Sequence, residues 1–333
     1  MNRILFAAAL VVAFAAADAA SAKPVTIMVG GLEKQIYLPA MLAERLGYFK
    51  EEGLEVGLSS EGAGVDATDA MVAGEVDGVV GFYDHTIDLQ SKGKYAESVV
   101  QFSRAPGEVE LVDAKLADKV HGFADLKGMS LGVTGLGSST NFLTLYMAAR
   151  AGLKPGDITS VAVGAGNTFL AALKQGAIQG GMTTEPTVSR ALNTGLAKVL
   201  VDMRTLEGTR DALGGTYPAA CLYMMESYVK ANPETVQKLA NAFAKTMHYI
   251  ATHSAQEIAA QMPKDYYAGD QKMYVSALAD GKVMFTADGT MPADGPPTVL
   301  KVLSTFKKEL QGKQIDLSRT YTTQFVEQAN KPK

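Results

Sequence analysis

The chain carries Gly62-Ala63-Gly64, then Gly74, then Gly78, and 102 residues further on it carries Gly164-Ala165-Gly166, Gly176 and Gly180 at the same spacings. Upstream, Val29, Leu32, Arg45 and Gly47 pair with Val133, Leu136, Arg150 and Gly152 at offsets of 104 or 105. Four glycines and an alanine in register with matching flanks exceed what an Ala/Gly-rich composition produces by chance, so the chain contains an internal repeat. Each copy reads β-loop-α-β-loop-α-β. Two such units make two open α/β sheets whose loops lie at the carboxyl ends of the strands, where sheets of this kind bind ligands.

Working outward, the second copy opens with Leu131-Gly132-Val133-Thr134-Gly135-Leu136-Gly137-Ser138-Ser139-Thr140-Asn141-Phe142, a buried strand, a Gly-rich turn and the first turn of a helix. Backbone N–H groups at a helix start lack intrahelical partners and carry roughly half a positive charge, so they favour a carboxylate, sulfonate or phosphate. Gly137 gives close approach, and Ser138, Ser139 and Thr140 add hydroxyl donors. Nucleotide patterns fail: no Gly-Lys-Ser/Thr follows the turn, and Thr140 stands where the dinucleotide fingerprint needs glycine. The helix continues at Phe142, Leu145, Tyr146 and Ala149 until Gly152 stops it.

The first copy runs from the strand Val25 to Val29 through a loop at Gly30 to Gln35 into a helix from Tyr37 to Arg45, with Pro39 suited to the first turn. Gly31, Lys34 and Tyr37 fall at the expected cleft, as does Gly64 in the second loop. Its third strand ends at Phe82, which puts Tyr83, Asp84 and His85 at the cleft as well. His85 beside Asp84 reads as an exposed helix cap or, alternatively, as a catalytic dyad or half a metal site; no second His lies at ligand spacing.

Between the copies, Val99 to Gly107 is expected to be the first crossover strand. Arg104 near the cleft floor is either a bidentate clamp for a ligand carboxylate or a solvated surface cation. The second copy contributes Asn167 after its Gly-Ala-Gly turn, and Thr184 with Glu185 after its third strand; Glu185 could accept from a ligand ammonium. Ala219 to Met225 reads as the return crossover, with Cys221 as inert core packing. Beyond it, Asn232 and Pro233 start a helix whose face Val236, Leu239, Ala240, Phe243, Met247 and Ile250 is core. Ser254 with Glu257 makes a capping box, and Thr298 to Leu310 is expected as the last amphipathic helix.

At the other end, Asn2-Arg3 precede an apolar run from Ile4 to Ala17, and Ala20-Ser21-Ala22 offers small residues at a cleavage site. Residues 1–22 therefore read as a secretory signal peptide, with the mature, soluble chain starting at Lys23. The expected division is lobe 1 at residues 23–109 and 216–333 and lobe 2 at 110–215. With 47% hydrophobic residues each lobe has material for a core, which one lone Cys could not staple. A net charge of −4 gives no reason to expect a nucleic-acid or membrane-surface partner.

Leu38-Pro39, Ala43, Gly47-Tyr48-Phe49, Glu52-Gly53-Leu54 and Val56, then Asp125-Leu126-Lys127-Gly128 before Gly132-Val133, and Gly137-Ser138-Ser139, resemble the nitrate/sulfonate/taurine-type periplasmic solute-binding proteins of ABC importers. The resemblance implies a two-lobed periplasmic-binding-protein fold of type II, a venus flytrap, each lobe an open sheet with flanking helices. It implies a monomer that captures a small anionic or zwitterionic solute, a sulfonate, carboxylate or aromatic acid, and delivers it to a permease and ATPase at the inner membrane. Tyr37, Phe82, Tyr83 and Tyr217 would supply aromatic walls. The Cys-rich motif of the fungal pyrimidine-synthesising relatives is absent. No Gly-x-Ser-x-Gly elbow or His-Glu-x-x-His is present, so neither an enzyme, a cofactor nor a metal is expected. The alternatives are an enzyme on the same fold using His85 and Asp84, and a ligand sensor subunit.

Overall fold

The computed structural model describes residues 24–332, so the signal-peptide reading of residues 1–22 lies outside the described residues. The first copy is β1 (Val25–Val29), α1 (Leu38–Arg45), β2 (Val56–Ser60), α2 (Gly64–Ala73) and β3 (Gly78–Phe82), followed by α3 (Asp84–Ser91) and β4 (Ala96–Gln101). After β5 (Glu108–Asp113), the second copy repeats the order as β6 (Ser130–Val133), α4 (Ser139–Arg150), β7 (Thr159–Ala162), α5 (Asn167–Lys174), β8 (Gly180–Thr184), α6 (Thr187–Asn193) and β9 (Ala197–Asp202). The chain then returns through β10 (Ala220–Met225) to α7 (Pro233–Thr252), α8 (Gly295–Phe306) and α9 (Gln324–Ala329).

The two sheets have the same plan, in the orders β2-β1-β3-β10-β4 and β7-β6-β8-β5-β9. In the first, β1 runs parallel to β2 and β3, and β10 is antiparallel to both of its neighbours. In the second, β6 runs parallel to β7 and β8, and β5 is the antiparallel strand. Each sheet therefore receives its fourth strand from the chain just as it arrives from the other sheet. The repeat has become a two-lobed α/β fold.

The matched glycines have physical causes. Gly74 and Gly176 close their helices with φ of 80° and 73°, a conformation that side chains resist. Gly78 and Gly180 start the central strands, where the returning strand presses in: a Cβ would lie 3.0 Å from Met224 Cε at Gly78 and 2.3 Å from the Leu111 carbonyl oxygen at Gly180. The Gly-Ala-Gly turns are less alike, since Gly164 and Gly166 have positive φ and Gly62 and Gly64 do not.

The main apolar core spans the first sheet and α7, whose expected face is buried at all six positions, and it takes in Phe142, Leu143 and Tyr146 of α4. Two smaller clusters flank the second sheet. Burial of α4 against α8 holds the two lobes together.

Four local expectations are corrected. The first crossover strand stops at Gln101 and pairing resumes only at Glu108. The helix expected over Thr298 to Leu310 starts earlier, at Gly295, and ends at Phe306; it is not the last, because α9 follows. Asn232 does not cap α7 with its side chain, whose Nδ2 donates back to the Tyr228 carbonyl at 3.0 Å. Asp84 and His85, expected as an exposed cap, are 0% and 2% exposed because the second lobe covers them. The Ser254–Glu257 capping box forms as expected.

Candidate functional site

The loops and helix starts at the carboxyl ends of β1, β2 and β3 meet those of β6 and β8 face to face. Three hydrogen bonds join them: Gln35 N–H donates to the Glu185 carbonyl at 3.1 Å, Val65 N–H to Ser138 Oγ at 3.3 Å, and Ser139 Oγ to Asp84 Oδ2 at 2.6 Å. Tyr217 donates to the same carboxyl oxygen at 3.0 Å. Between these contacts lies a small void of about 10 Å³, lined among others by Lys34, Tyr37, His85, Glu108, Ser139 and Thr184. Such a space holds one water at most.

The void is bordered by groups whose hydrogen-bonding capacity is unspent. Among the described residues, Asp84 Oδ1, His85 Nε2, Glu108 Oε2 and Thr184 Oγ1 are buried without a hydrogen-bond partner. Asp84 Oδ1 lies 3.4 Å from His85 Nδ1, but that nitrogen is also 3.2 Å from the Phe82 carbonyl, which leaves Nε2 directed elsewhere. Buried polar groups in folded proteins are almost always paired, so three orphans on residues lining one void, with Asp84 Oδ1 behind His85, mark a place where a ligand completes the bonding.

Burial sets the charge of the site. It pushes the Glu108 carboxyl well above the usual carboxylate range; neighbouring Asp84 adds to the rise, and Lys34 opposes it. Burial also lowers Lys34 to about 8, against the pull of Glu33, Glu108 and Asp66. Glu110, two residues along β5 and therefore on the same face, is raised to about 8 by burial, with Thr144 Oγ1 donating to it at 3.0 Å. Tyr37 and Phe82 form an edge-to-face wall with centroids 6.0 Å apart.

Of the residues expected at the cleft, Lys34, Tyr37, Gly64, His85, Ser138, Ser139, Thr140 and Thr184 line the void. Gly31 stands behind it at φ 118°, where a Cβ would strike the folded-back Lys34 chain 2.6 Å away. The others are engaged elsewhere. Tyr83 turns into the first lobe to pair with Thr320 Oγ1 at 2.5 Å, and Arg104 is exposed, its backbone N–H bonded to Met284. Glu185 is committed to Ser189 and to Arg204, the latter at 2.8 Å. Asn167 Oδ1 accepts from Arg190 at 2.6 Å and faces a separate chamber.

The helix start expected to hold an anion spends part of its hydrogen-bonding capacity within the protein. Ser138 Oγ accepts from Val65, Thr140 Oγ1 accepts from Thr134 N–H at 3.0 Å, and the Gly137 N–H is taken by Asn141 Oδ1 at 3.0 Å. Through Ser139, the Asp84 carboxyl occupies the position assigned to the ligand's acid. The residue that sequence reasoning missed is Glu108. Its signal was available in Glu108-Val109-Glu110-Leu111-Val112, two acids at alternate positions of an otherwise apolar strand.

Two open sheets closing their ligand-facing loops over a buried polar void define a two-lobed solute-binding fold. The chain belongs to the NMT1-like family, whose model matches residues 20–263. A solved protein from Bordetella bronchiseptica RB50 is similar at a TM-score of 0.89 and 37% identity, covering 92% of this chain and 96% of that one. The alkanesulfonate-binding protein of Xanthomonas axonopodis pv. citri bound to MOPS shares the fold at a TM-score of 0.70 and 18% identity, covering 92% and 100%. The resemblance to nitrate- and sulfonate-type binding proteins is borne out.

A 4-amino-5-hydroxymethyl-2-methylpyrimidine phosphate synthase of Saccharomyces cerevisiae is 27% identical over 237 residues, covering 69% of this chain and 68% of the relative. That name is an enzyme's, and it overturns the expectation that the chain is not one. The reasoning from missing motifs was at fault, because an enclosed set of acids, a histidine and a lysine needs no serine elbow to do chemistry.

Proposed function

We propose that the cleft captures a small nitrogen heterocycle bearing an exocyclic amine, of the 4-amino-5-hydroxymethyl-2-methylpyrimidine type, and that the chain serves a periplasmic ABC import system as its solute-binding component. The carrying observation is the pair of unpartnered buried carboxyl oxygens, Asp84 Oδ1 and Glu108 Oε2, beside an aromatic wall. A carboxyl kept protonated by burial donates to a ring nitrogen and accepts from the adjacent amine, which gives two-point recognition of an aminopyrimidine edge. A sulfonate set against the same two acids would use the donor of a protonated carboxyl but leave its acceptor oxygens facing an anion, so the cleft favours the amine over the anionic head group expected from the sequence.

Support for the ligand class comes from the relative's name, and support for the import role from the shared fold and the leader-like residues 1–22. Calorimetry with the pyrimidine alcohol tests the reading. Binding that falls at least tenfold in Glu108→Met, which keeps the size and removes both donor and acceptor, is expected, since hydrogen bonds of this kind contribute about 1–3 kcal/mol. Unaltered affinity in the variant, or preference for a simple alkanesulfonate, would refute it. Mass spectrometry of the recovered ligand separates roles: an unchanged mass supports capture and delivery, whereas a new mass assigns this chain the kind of chemistry that its relative's name declares.

A further inference from the structure

The inner void shares a wall, the Lys34 side chain, with an outer chamber of about 330 Å³, a size within the range of small-molecule sites. The chamber is built from both copies, with Lys34 and Tyr266 on one side and Asn167 and Arg190 on the other. Among the described residues its cations have no direct ion pair, although Glu33, Glu108 and Asp66 act on Lys34 from further away. Lys34, 4% exposed, donates from Nζ only to the main-chain carbonyls of Gly30 and Gly62, the latter at 3.0 Å. The half-buried Arg190 donates to the neutral Asn167 Oδ1. Neither has a carboxylate within 4.0 Å among the described residues, and the acids that line the chamber, Glu33 and Asp265, are exposed. The helix start of α5 is not the donor here, because the Gly166 N–H is already taken by Thr187 Oγ1 at 2.8 Å.

A buried ammonium without a counter-ion is costly, and a guanidinium offers a planar fork suited to oxyanions. The two compartments thus differ in character, buried acid groups inside and, outside, two cations without a direct ion pair beside the exposed carboxylates of Glu33 and Asp265. We infer that the outer chamber is a subsite for a tetrahedral oxyanion, phosphate or sulfonate, carried as the tail of a ligand whose amine-bearing ring occupies the inner void. This inference rests on the ring assignment made above, and it reconciles the acid-lined cleft with the anionic or zwitterionic solute expected from sequence.

The test compares 4-amino-5-hydroxymethyl-2-methylpyrimidine with its phosphate ester by calorimetry on the mature protein, on Arg190→Gln and on Glu108→Met, with inorganic phosphate as a separate thermal-shift probe. The ester is expected to bind wild type at least tenfold more tightly than the alcohol. Arg190→Gln should bring the two within about threefold of each other, while Glu108→Met, which touches only the ring, should weaken both and keep their ratio. Alcohol and ester binding equally to wild type would overturn the subsite and leave the ring assignment standing. If neither pyrimidine binds but inorganic phosphate stabilises wild type and not Arg190→Gln, the subsite stands and the ring assignment falls. No response to any of the three compounds overturns both. The unliganded melting temperature of Arg190→Gln identifies a merely unfolded variant, and Arg190→Lys, which restores charge without the fork, should recover part of the ester's advantage.

Discussion

At the residue scale the cleft is governed by acids that burial keeps from ionising. Glu110 is fully buried, with a carboxyl raised to about 8 and one oxygen unpartnered. An acid whose folded pKa lies above its unfolded value binds more protons when folded, so stability falls as pH rises from about 4.5 to about 8. At pH 7 the cost is on the order of 3 kcal/mol, and Glu110→Gln should flatten the slope over this window and raise the melting temperature at pH 8. Equal pH slopes for the two proteins in thermal melts would contradict the assignment. Ser139→Ala should act through Asp84: loss of that interlobe hydrogen bond costs about 1–3 kcal/mol of closure and weakens ligand binding by roughly tenfold or more, which calorimetry measures. The sequence did show which positions face the cleft, since eight expected residues line the void. It did not show their electrical sign. A helix start reads as positive when taken alone, and only the folded second lobe reveals that Asp84, 55 residues away in the chain, already meets it.

At the scale of elements, legibility follows from how local the cause is. The glycine repeat was readable because helix ends and strand crowding impose the same demand in both copies. That demand can be measured. Gly180→Ala would place a Cβ 2.3 Å from the rigid Leu111 carbonyl oxygen, whereas Gly78→Ala meets the flexible end of Met224 at 3.0 Å. The first change should destabilise by more than about 3 kcal/mol and the second by about 1 kcal/mol, as read by urea unfolding. Comparable losses would mean that β5 yields as readily as a methionine. The start of α8 was misplaced for a different reason: Pro296 and Pro297 occupy its first turn after Gly295, a position that suits proline, so the helix begins before its apolar periodicity becomes visible. Asn232 failed as a cap because its amide found a closer carbonyl in the preceding helix.

At the scale of the whole molecule the question is how a ligand enters a cleft that retains about 10 Å³. A pyrimidine ring cannot occupy that space, so the lobes must separate to admit it and re-form their contacts less tightly around it. Among the described residues the chain crosses between the sheets twice, between β4 and β5 and between β9 and β10, which leaves rotation about those crossings as the available motion. What resists opening is a short list of contacts. Beyond the three interlobe hydrogen bonds, Phe142 of α4 packs with ring centroids 5.9 Å from His85 and 6.0 Å from Phe306, under the Lys307 ammonium 3.9 Å from its ring centre. Lys307 is held in turn by Asp88 on α3. Truncating a buried phenylalanine typically costs about 3–5 kcal/mol, and here much of that loss falls on the closed arrangement, because Phe142 bridges the lobes. Phe142→Ala should therefore shift the ligand-free protein towards open forms. Small-angle scattering should report a larger radius of gyration than for wild type, and saturating ligand should restore part of the compaction at a lower apparent affinity. The same radius in both proteins, without and with ligand, would mean that the lobes do not use this contact to close, and closure would then rest on the Ser139–Asp84 and Gln35–Glu185 hydrogen bonds.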